Sequence, residues 1–276
     1  MCGVTTFLRF IINMCFLVFI FCFSGDTCLF CDELPRGGEP LWGRKYLNML
    51  KVFYVKLPEC GWNPEMERFF QPLADDTVFR DAMGFRSDKV RLTRLIGVAL
   101  IRLLLLRFFG LAPGDYTIVR NIHGKPFLEG RNDVFFNISH SGDYVVCALS
   151  DKEVGIDIEG EKRARLEVAR RFFHPDEIKK LESLEDKEKD DFFYDYWSVK
   201  ESFLKYTGDG LTRPLSSFCV RFDREETGIY EDGRRLPLFV STCDIASGYK
   251  CYVCSGSGYI ETVTGLDWSG LDGKSL

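Results

Sequence analysis

In Val154-Gly-Ile-Asp-Ile-Glu159 β-branched residues occupy every second position, and roughly forty residues later Trp197, Glu201 and Lys205 recur at every fourth position. The first pattern has the period of a strand and the second that of a helix, so this part of the chain must build a sheet with a long helix beside it. On the strand Asp157 and Glu159 point to one face, roughly 7 Å apart. On the helix Trp197, Glu201 and Lys205 stack at about 6 Å per turn. Two carboxylates on one face of an otherwise apolar strand repel each other unless a cation or a basic group compensates. Three carboxylates and an ammonium group in one place suit a hard divalent cation and a phosphate ester, because Mg²⁺ takes oxygen ligands and shares them with phosphates. The plainer alternatives are a solvated strand face, an ordinary Glu–Lys helix pair and a core tryptophan.

With 276 residues, 46% of them hydrophobic, the chain can build a sizeable core, which excludes general disorder. A net charge of -5 gives no general attraction to nucleic acid or to an anionic membrane, so any anion site must be built from particular residues. Eleven cysteines at scattered positions fit a reducing compartment better than a disulfide framework. Cys28–Cys31 and Cys251–Cys254 have the spacing of a redox pair or half a zinc site, without the usual surroundings. Tyr252 and Val253 indicate a strand, which sends the sulfurs of Cys251 and Cys254 to opposite faces.

Residues 7 to 23 are strongly apolar but interrupted by Arg9 and Asn13. The stretch is marginal for a bilayer of about 30 Å and has the outline of a signal-peptide core. The reading preferred here treats residues 1–48 as an extension preceding a natural start at Met49, because their composition differs from everything after. A signal or membrane anchor and a structured appendage are the alternatives.

From Met49 a strand-like alternation begins, followed by a loosely helical stretch from Glu65 to Arg80 and a strongly helical one from Asp88 to Phe109. Arg91, Arg94, Arg102 and Arg107 give the latter too many charges for a membrane span, so it reads as a core helix. Strands are predicted over Tyr116–Asn121, Val134–Ile138, Tyr144–Leu149 and Val154–Glu159, with antiparallel hairpins at Ser139–Asp143 and Ser150–Glu153. Helices over Leu166–Phe173, Pro175–Leu184 and Phe192–Tyr206 follow, then strands over Phe218–Phe222, Gly228–Tyr230, Pro237–Asp244 and Tyr249–Ser255. The fold class is therefore α+β, with two similar subdomains, each a small antiparallel sheet packed on helices. The boundaries are 49–153 for the first, 154–262 for the second and 263–276 for a tail.

Two further segments carry candidate chemistry. In Phe136-Asn-Ile-Ser-His-Ser-Gly142, Ser139, His140 and nearby amides are placed to surround an anion from a turn, the bland alternative being a turn histidine with a capping serine. Gly124-Lys-Pro126 has the look of a tight turn presenting Lys125, which alone is weak evidence.

These segments, in this order and at these spacings, together with Trp197-Ser-Val-Lys-Glu-Ser-Phe-Leu-Lys205, resemble the 4'-phosphopantetheinyl transferase superfamily, in its surfactin-synthetase type. The resemblance covers about residues 49 to 255 and implies a single-chain pseudo-dimer. It implies transfer of the phosphopantetheine arm of coenzyme A to a serine of an apo acyl, peptidyl or aryl carrier protein, releasing 3',5'-ADP. By position, Asp157, Glu159 and Glu201 match the family's Mg²⁺ site. Glu201, or a water beside the metal, would take the serine proton, and Lys205 would stabilise the departing phosphate. Lys125, Ser139 and His140 match positions that hold the phosphates of coenzyme A. The basic residue near the start of the long helix departs from the family pattern: before Leu95-Ile-Gly97 the register admits Arg91 or Arg94, with Arg80 and Arg86 further upstream. Lys200 lies beside Glu201 on a different face.

A cytoplasmic monomer follows from this reading, with no nucleic-acid or membrane partner. The cluster Lys162-Arg-Ala-Arg165 with Arg170 and Arg171 would complement acidic carriers. The competing readings are a catalytically silent coenzyme A or carrier-binding relative and a membrane-tethered structural protein.

Overall fold

The alternation after Met49 forms β1 (Leu50–Lys56), the first element of the computed structural model, which describes residues 49–223 and 226–266. The expectations for residues 1–48, Cys28 and Cys31 among them, lie outside the described residues. The loosely helical stretch is two helices, α1 (Pro64–Phe70) and α2 (Asp76–Met83), because Pro72 cannot continue a helix. Asn63 caps α1, its side-chain oxygen accepting from the amides of Glu65 and Met66. α3 (Asp88–Phe109) matches the predicted core helix. It stops at Gly110, whose φ of 64° is the left-handed cap that glycine takes without strain.

The chain continues through β2 (Ile118–Arg120), β3 (Pro126–Leu128), β4 (Phe135–Ser141), β5 (Tyr144–Ser150) and β6 (Val154–Gly160). Three helices follow: α4 (Leu166–Phe172), α5 (Pro175–Glu182) and α6 (Asp186–Thr207). The last strands are β7 (Cys219–Phe222), β8 (Thr227–Glu231), β9 (Arg234–Arg235), β10 (Phe239–Thr242), β11 (Tyr249–Ser255) and β12 (Thr262–Leu266).

One sheet has the order β12-β1-β5-β4, the second β6-β11-β10-β8-β7 with β9 beside β8, and β2 and β3 form a separate two-stranded ribbon. Helices α1 to α3 cover the outer face of the first sheet in one core cluster, and α4 to α6 pack on the second in another. Between the sheets lies a third cluster, in which Leu50, Val52, Val146 and Ala148 meet Val154, Ile156, Ile158 and Val253. The expected α+β class with two halves of like build is what is found: each half packs a 22-residue helix, ending in a left-handed glycine, on a largely antiparallel sheet. Cys251 and Cys254 enter different clusters, as the strand reading requires.

Three sequence expectations need correction. Ser150–Glu153 is not a hairpin: β5 pairs with β1 and β4 while β6 pairs with β11, so the segment carries the chain from one sheet to the other. His140 is not in a turn, because β4 runs on to Ser141 and the reversal is Gly142-Asp143 alone, with Ser141 opposite Tyr144. Residues 263–266, assigned to the tail, belong instead to β12, which pairs in parallel with β1. Gly265 permits that pairing, since a Cβ there would stand 2.6 Å from the Tyr54 ring.

Candidate active site

The site lies where the edges of the two sheets meet. On β4 the side chains of Asn137, Ser139 and Ser141 share one face and reach the open edge of β6. The amide of Ile156 donates to Asn137 Oδ1 at 2.9 Å, and that of Gly160 to Ser141 Oγ at 3.0 Å. Asn137 and Ser141 thus satisfy an edge that would otherwise offer bare amides. Ser139 Oγ donates to Asp157 Oδ1 at 3.0 Å, and Ser141 Oγ to Glu159 Oε2 at 3.0 Å.

Helix α6 supplies the other wall. It crosses β6 at Gly155, where a Cβ would stand 2.2 Å from the Ser202 carbonyl oxygen and the Tyr206 amide nitrogen. Only glycine allows this approach. It brings Lys205 Nζ to 2.6 Å from Asp157 Oδ1 and 2.7 Å from Ser139 Oγ. Glu201, one turn earlier, lies within electrostatic reach of Asp157, Glu159 and Lys205.

Burial dominates the charge balance. It raises the carboxyls of Asp157, Glu159 and Glu201 above their ordinary values, mutual repulsion adds to the shift for Glu159 and Glu201, and Lys205 opposes it. Burial by its neighbours, then the Lys205 ammonium, push the His140 imidazole below 6.5 against the pull of Asp157. Asp157 Oδ2 is buried with no hydrogen-bond partner. A buried carboxylate oxygen without a donor, beside two more carboxyls, fits a hard cation bound through oxygen, so the donor set suits Mg²⁺.

Asp157, Glu159, Glu201, Lys205, Ser139 and His140 are thus brought together. Lys125 meets the end of α6: its ammonium donates to Glu153 Oε2 at 2.6 Å and to the Tyr206 carbonyl at 2.9 Å. Arg91 is also engaged, donating to Asp88 at 2.8 Å and to the Phe85 carbonyl at 2.7 Å, with its guanidinium over the Trp62 ring. Arg94, one turn before Gly97, is exposed, and Gly97 lies under Ile138 of β4. Lys200 is fully buried, bonded to Glu177.

Sequence reasoning missed Ser141, which holds Glu159, and placed Trp197 on the Glu201 face without a role; its indole N–H donates to the Glu159 carboxylate. The signal for Ser141 was present, since Asn137, Ser139 and Ser141 form a polar row at strand period. Away from this site, His174, Asp176 and Cys219 place donor atoms within 4.8 Å of one another. There the imidazole Nδ1 accepts the Asp176 amide, and the buried Lys200 ammonium acts on the Cys219 thiol, which opposes a cation. Among the described residues no helix is long and apolar enough to cross a membrane.

Residues 153–254 match the model of the 4'-phosphopantetheinyl transferase superfamily, and residues 61–152 that of the 4'-phosphopantetheinyl transferase N-terminal region. The 4'-phosphopantetheinyl transferase Sfp of Bacillus subtilis (strain 168) is 33% identical over 224 residues, 80% of this chain and 100% of that protein. The chain belongs to the 4'-phosphopantetheinyl transferase superfamily. A second Bacillus subtilis 4'-phosphopantetheinyl transferase is 41% identical over 162 residues, 58% of this chain and 72% of that protein. The Aneurinibacillus migulanus enzyme gsp is 30% identical over 232 residues, covering 83% and 94%. The activity that goes with this membership is transfer of phosphopantetheine to carrier proteins.

Proposed function

We propose that the site at the junction of β4, β6 and α6 moves the phosphopantetheine arm of coenzyme A onto a serine hydroxyl of an apo acyl, peptidyl or aryl carrier protein. The serine oxygen attacks the pantetheine-bearing phosphorus, the P–O bond to the adenosine side breaks, the serine proton is lost to a base, and 3',5'-ADP leaves. The observation that carries this reading is the buried, unpartnered Oδ2 of Asp157 beside Glu159, Glu201 and Lys205.

Asp157, Glu159 and Glu201 would hold Mg²⁺, which supplies neutralising charge on the pyrophosphate. Glu201, or a water beside the metal, takes the serine proton. Lys205, hydrogen-bonded to Asp157, stabilises the departing phosphate. Ser139 fixes the Asp157 carboxylate, while His140 and Arg94 face the phosphates from the other half. The two halves, 49–153 and 154–262, thereby contribute different groups to one site. An acidic carrier would dock on the exposed Lys162, Arg163, Arg165, Arg170 and Arg171 around α4. The enzyme would act as a cytoplasmic monomer.

The test is incubation with coenzyme A, Mg²⁺ and a panel of apo carriers, read by intact mass. A carrier gaining one phosphopantetheine supports the reading; a folded protein that modifies none overturns it. The arginines give a second test. Arg94→Ala should raise KM for coenzyme A about tenfold, the loss of one charge-assisted hydrogen bond. Arg91→Ala should leave KM unchanged and lower Tm, because Arg91 holds Asp88 and the Phe85 carbonyl. Steady-state kinetics and thermal melts on both variants decide which arginine meets the coenzyme.

A further inference from the structure

Glu159 belongs to the second half, but a residue of the first half holds it. Ser141 Oγ accepts the Gly160 amide at 3.0 Å and donates to Glu159 Oε2 at 3.0 Å. A hydroxyl has one proton, and an amide donating into its oxygen turns that proton away, here onto the carboxylate. Asn137, four residues earlier on the same strand face, takes the Ile156 amide at 2.9 Å, an edge contact that involves no carboxylate. The turn that follows Ser141 is itself pinned. Tyr249 of β11, opposite Gly160, accepts the Asp143 amide on its hydroxyl at 3.2 Å, and its ring meets that of Tyr144 edge-on, with 4.9 Å between centroids. The packing is close: a Cβ on Gly142 would stand 2.1 Å from the Tyr249 hydroxyl, and one on Gly160 3.3 Å from the ring. From the first half, the Leu57 amide donates to the Asp143 carbonyl and Lys89 Nζ to Asp143 Oδ1, each at 2.7 Å.

We propose that Ser141 is a positioning residue for the cation: pinned by the Gly160 amide and by Tyr249 beneath the turn, its hydroxyl holds the Glu159 carboxylate ready for the ion shared with Asp157 and Glu201. This rests on the transfer reaction and the cation site proposed above. A carboxylate that is ordered only when the ion arrives loses side-chain freedom at that moment, whereas one already held by a donor does not. Removing such a supporting hydrogen bond weakens metal binding by about ten- to a hundredfold in other sites. The plainer role for Ser141 is to satisfy the β6 edge, as Asn137 does.

The two roles differ in their Mg²⁺ dependence. Calorimetric titration with coenzyme A at stepped Mg²⁺ concentrations, with no carrier present, reads cation affinity apart from turnover. If Ser141 positions Glu159, Ser141→Ala raises the Mg²⁺ concentration for half-maximal binding about tenfold, and Ser141→Thr, which keeps a hydroxyl, recovers most of the shift. Asn137→Ala loses only an edge contact, so it lowers Tm and leaves the Mg²⁺ midpoint within about twofold of the parent's. Tyr249→Phe keeps the ring and loses the acceptor for the Asp143 amide, so it shifts the midpoint in the same direction as Ser141→Ala and by less. The positioning role is overturned if Ser141→Ala lowers Tm as Asn137→Ala does and leaves the Mg²⁺ midpoint in place. Should Ser141→Ala fail to fold, Ser141→Cys makes the same comparison with a thiol, a weaker donor, and the same upward shift is expected. A parent protein whose coenzyme A binding ignores Mg²⁺ sinks the cation site and this inference with it; a Mg²⁺-dependent parent with an unmoved Ser141→Ala sinks the positioning role alone.

Discussion

Replacing Glu201 or Asp157 by alanine is expected to lower kcat for carrier modification by about two to three orders of magnitude, the usual cost of removing a group that acts on transition-state charge. Asp157 does two things at once, presenting an unpartnered oxygen and holding the Lys205 ammonium at 2.6 Å. Glu201 is the carboxylate positioned from the helix side, and its loss removes both a donor to the metal and the proposed base. The fold should survive both changes. Burial raises both carboxyls and repulsion adds to it at Glu201 alone, so Tm should stay level or rise in Glu201→Ala, whereas Asp157→Ala also strips the Lys205 ammonium of its partner and should not gain stability. Asp157→Asn, which keeps the shape, should lose rate as Asp157→Ala does if charge matters more than packing. Intact-mass rates together with melting curves separate the cases. Near-normal turnover in either alanine variant would show that the acidic cluster is not where the reaction occurs.

The sequence revealed the carboxylates because polar residues break an apolar strand, and the break is visible without a structure. Glu201 and Lys205 were legible for a related reason, their four-residue spacing within a helix whose later half has apolar periodicity. The first half of the same helix was not. Asp186 to Asp191 is charged throughout and solvated, so hydrophobic period missed it, although Glu185 and Glu188 form a capping box that marks the start. β12 was hidden for a different reason. Its partner β1 lies some two hundred residues away, and a short parallel edge strand containing Gly265 has neither a hairpin signal nor a clean alternation. Lys125 shows the limit most clearly: a lysine in a Gly-Lys-Pro turn looks free to meet a phosphate. Only the packing of two elements about eighty residues apart reveals that two of its three protons already have acceptors.

Lys200→Met is expected to be the most destabilising single change in the C-terminal half, by about 3–5 kcal/mol, or roughly 10 °C in Tm. Lys200 and Glu177 are both 0% exposed, with the ammonium 2.9 Å from the carboxylate. The ammonium also donates to the carbonyls of Leu215 and Phe218, at 2.7 and 2.9 Å, and lies 4.2 Å from the centre of the Phe218 ring. The carboxylate in turn accepts the amides of Val220 and His174, so one ion pair ties α6 to the start of α5 and to β7. Burial raises Glu177 and lowers Lys200, each against the pull of the other. Removing the lysine leaves a buried carboxylate that folds best when protonated. Its folded pKa then lies above the unfolded one, so the stability it allows is present at low pH and is lost as pH rises through the folded value. The deficit of Lys200→Met should therefore shrink on acidification. Lys200→Met combined with Glu177→Gln should recover much of the loss at neutral pH, because the orphaned charge is gone. Denaturant titrations of the single and double variants at two pH values test this. A single variant as stable as the parent would mean that the pair does not hold α6 in place, and the orientation of Glu201, one residue further on, would need another cause.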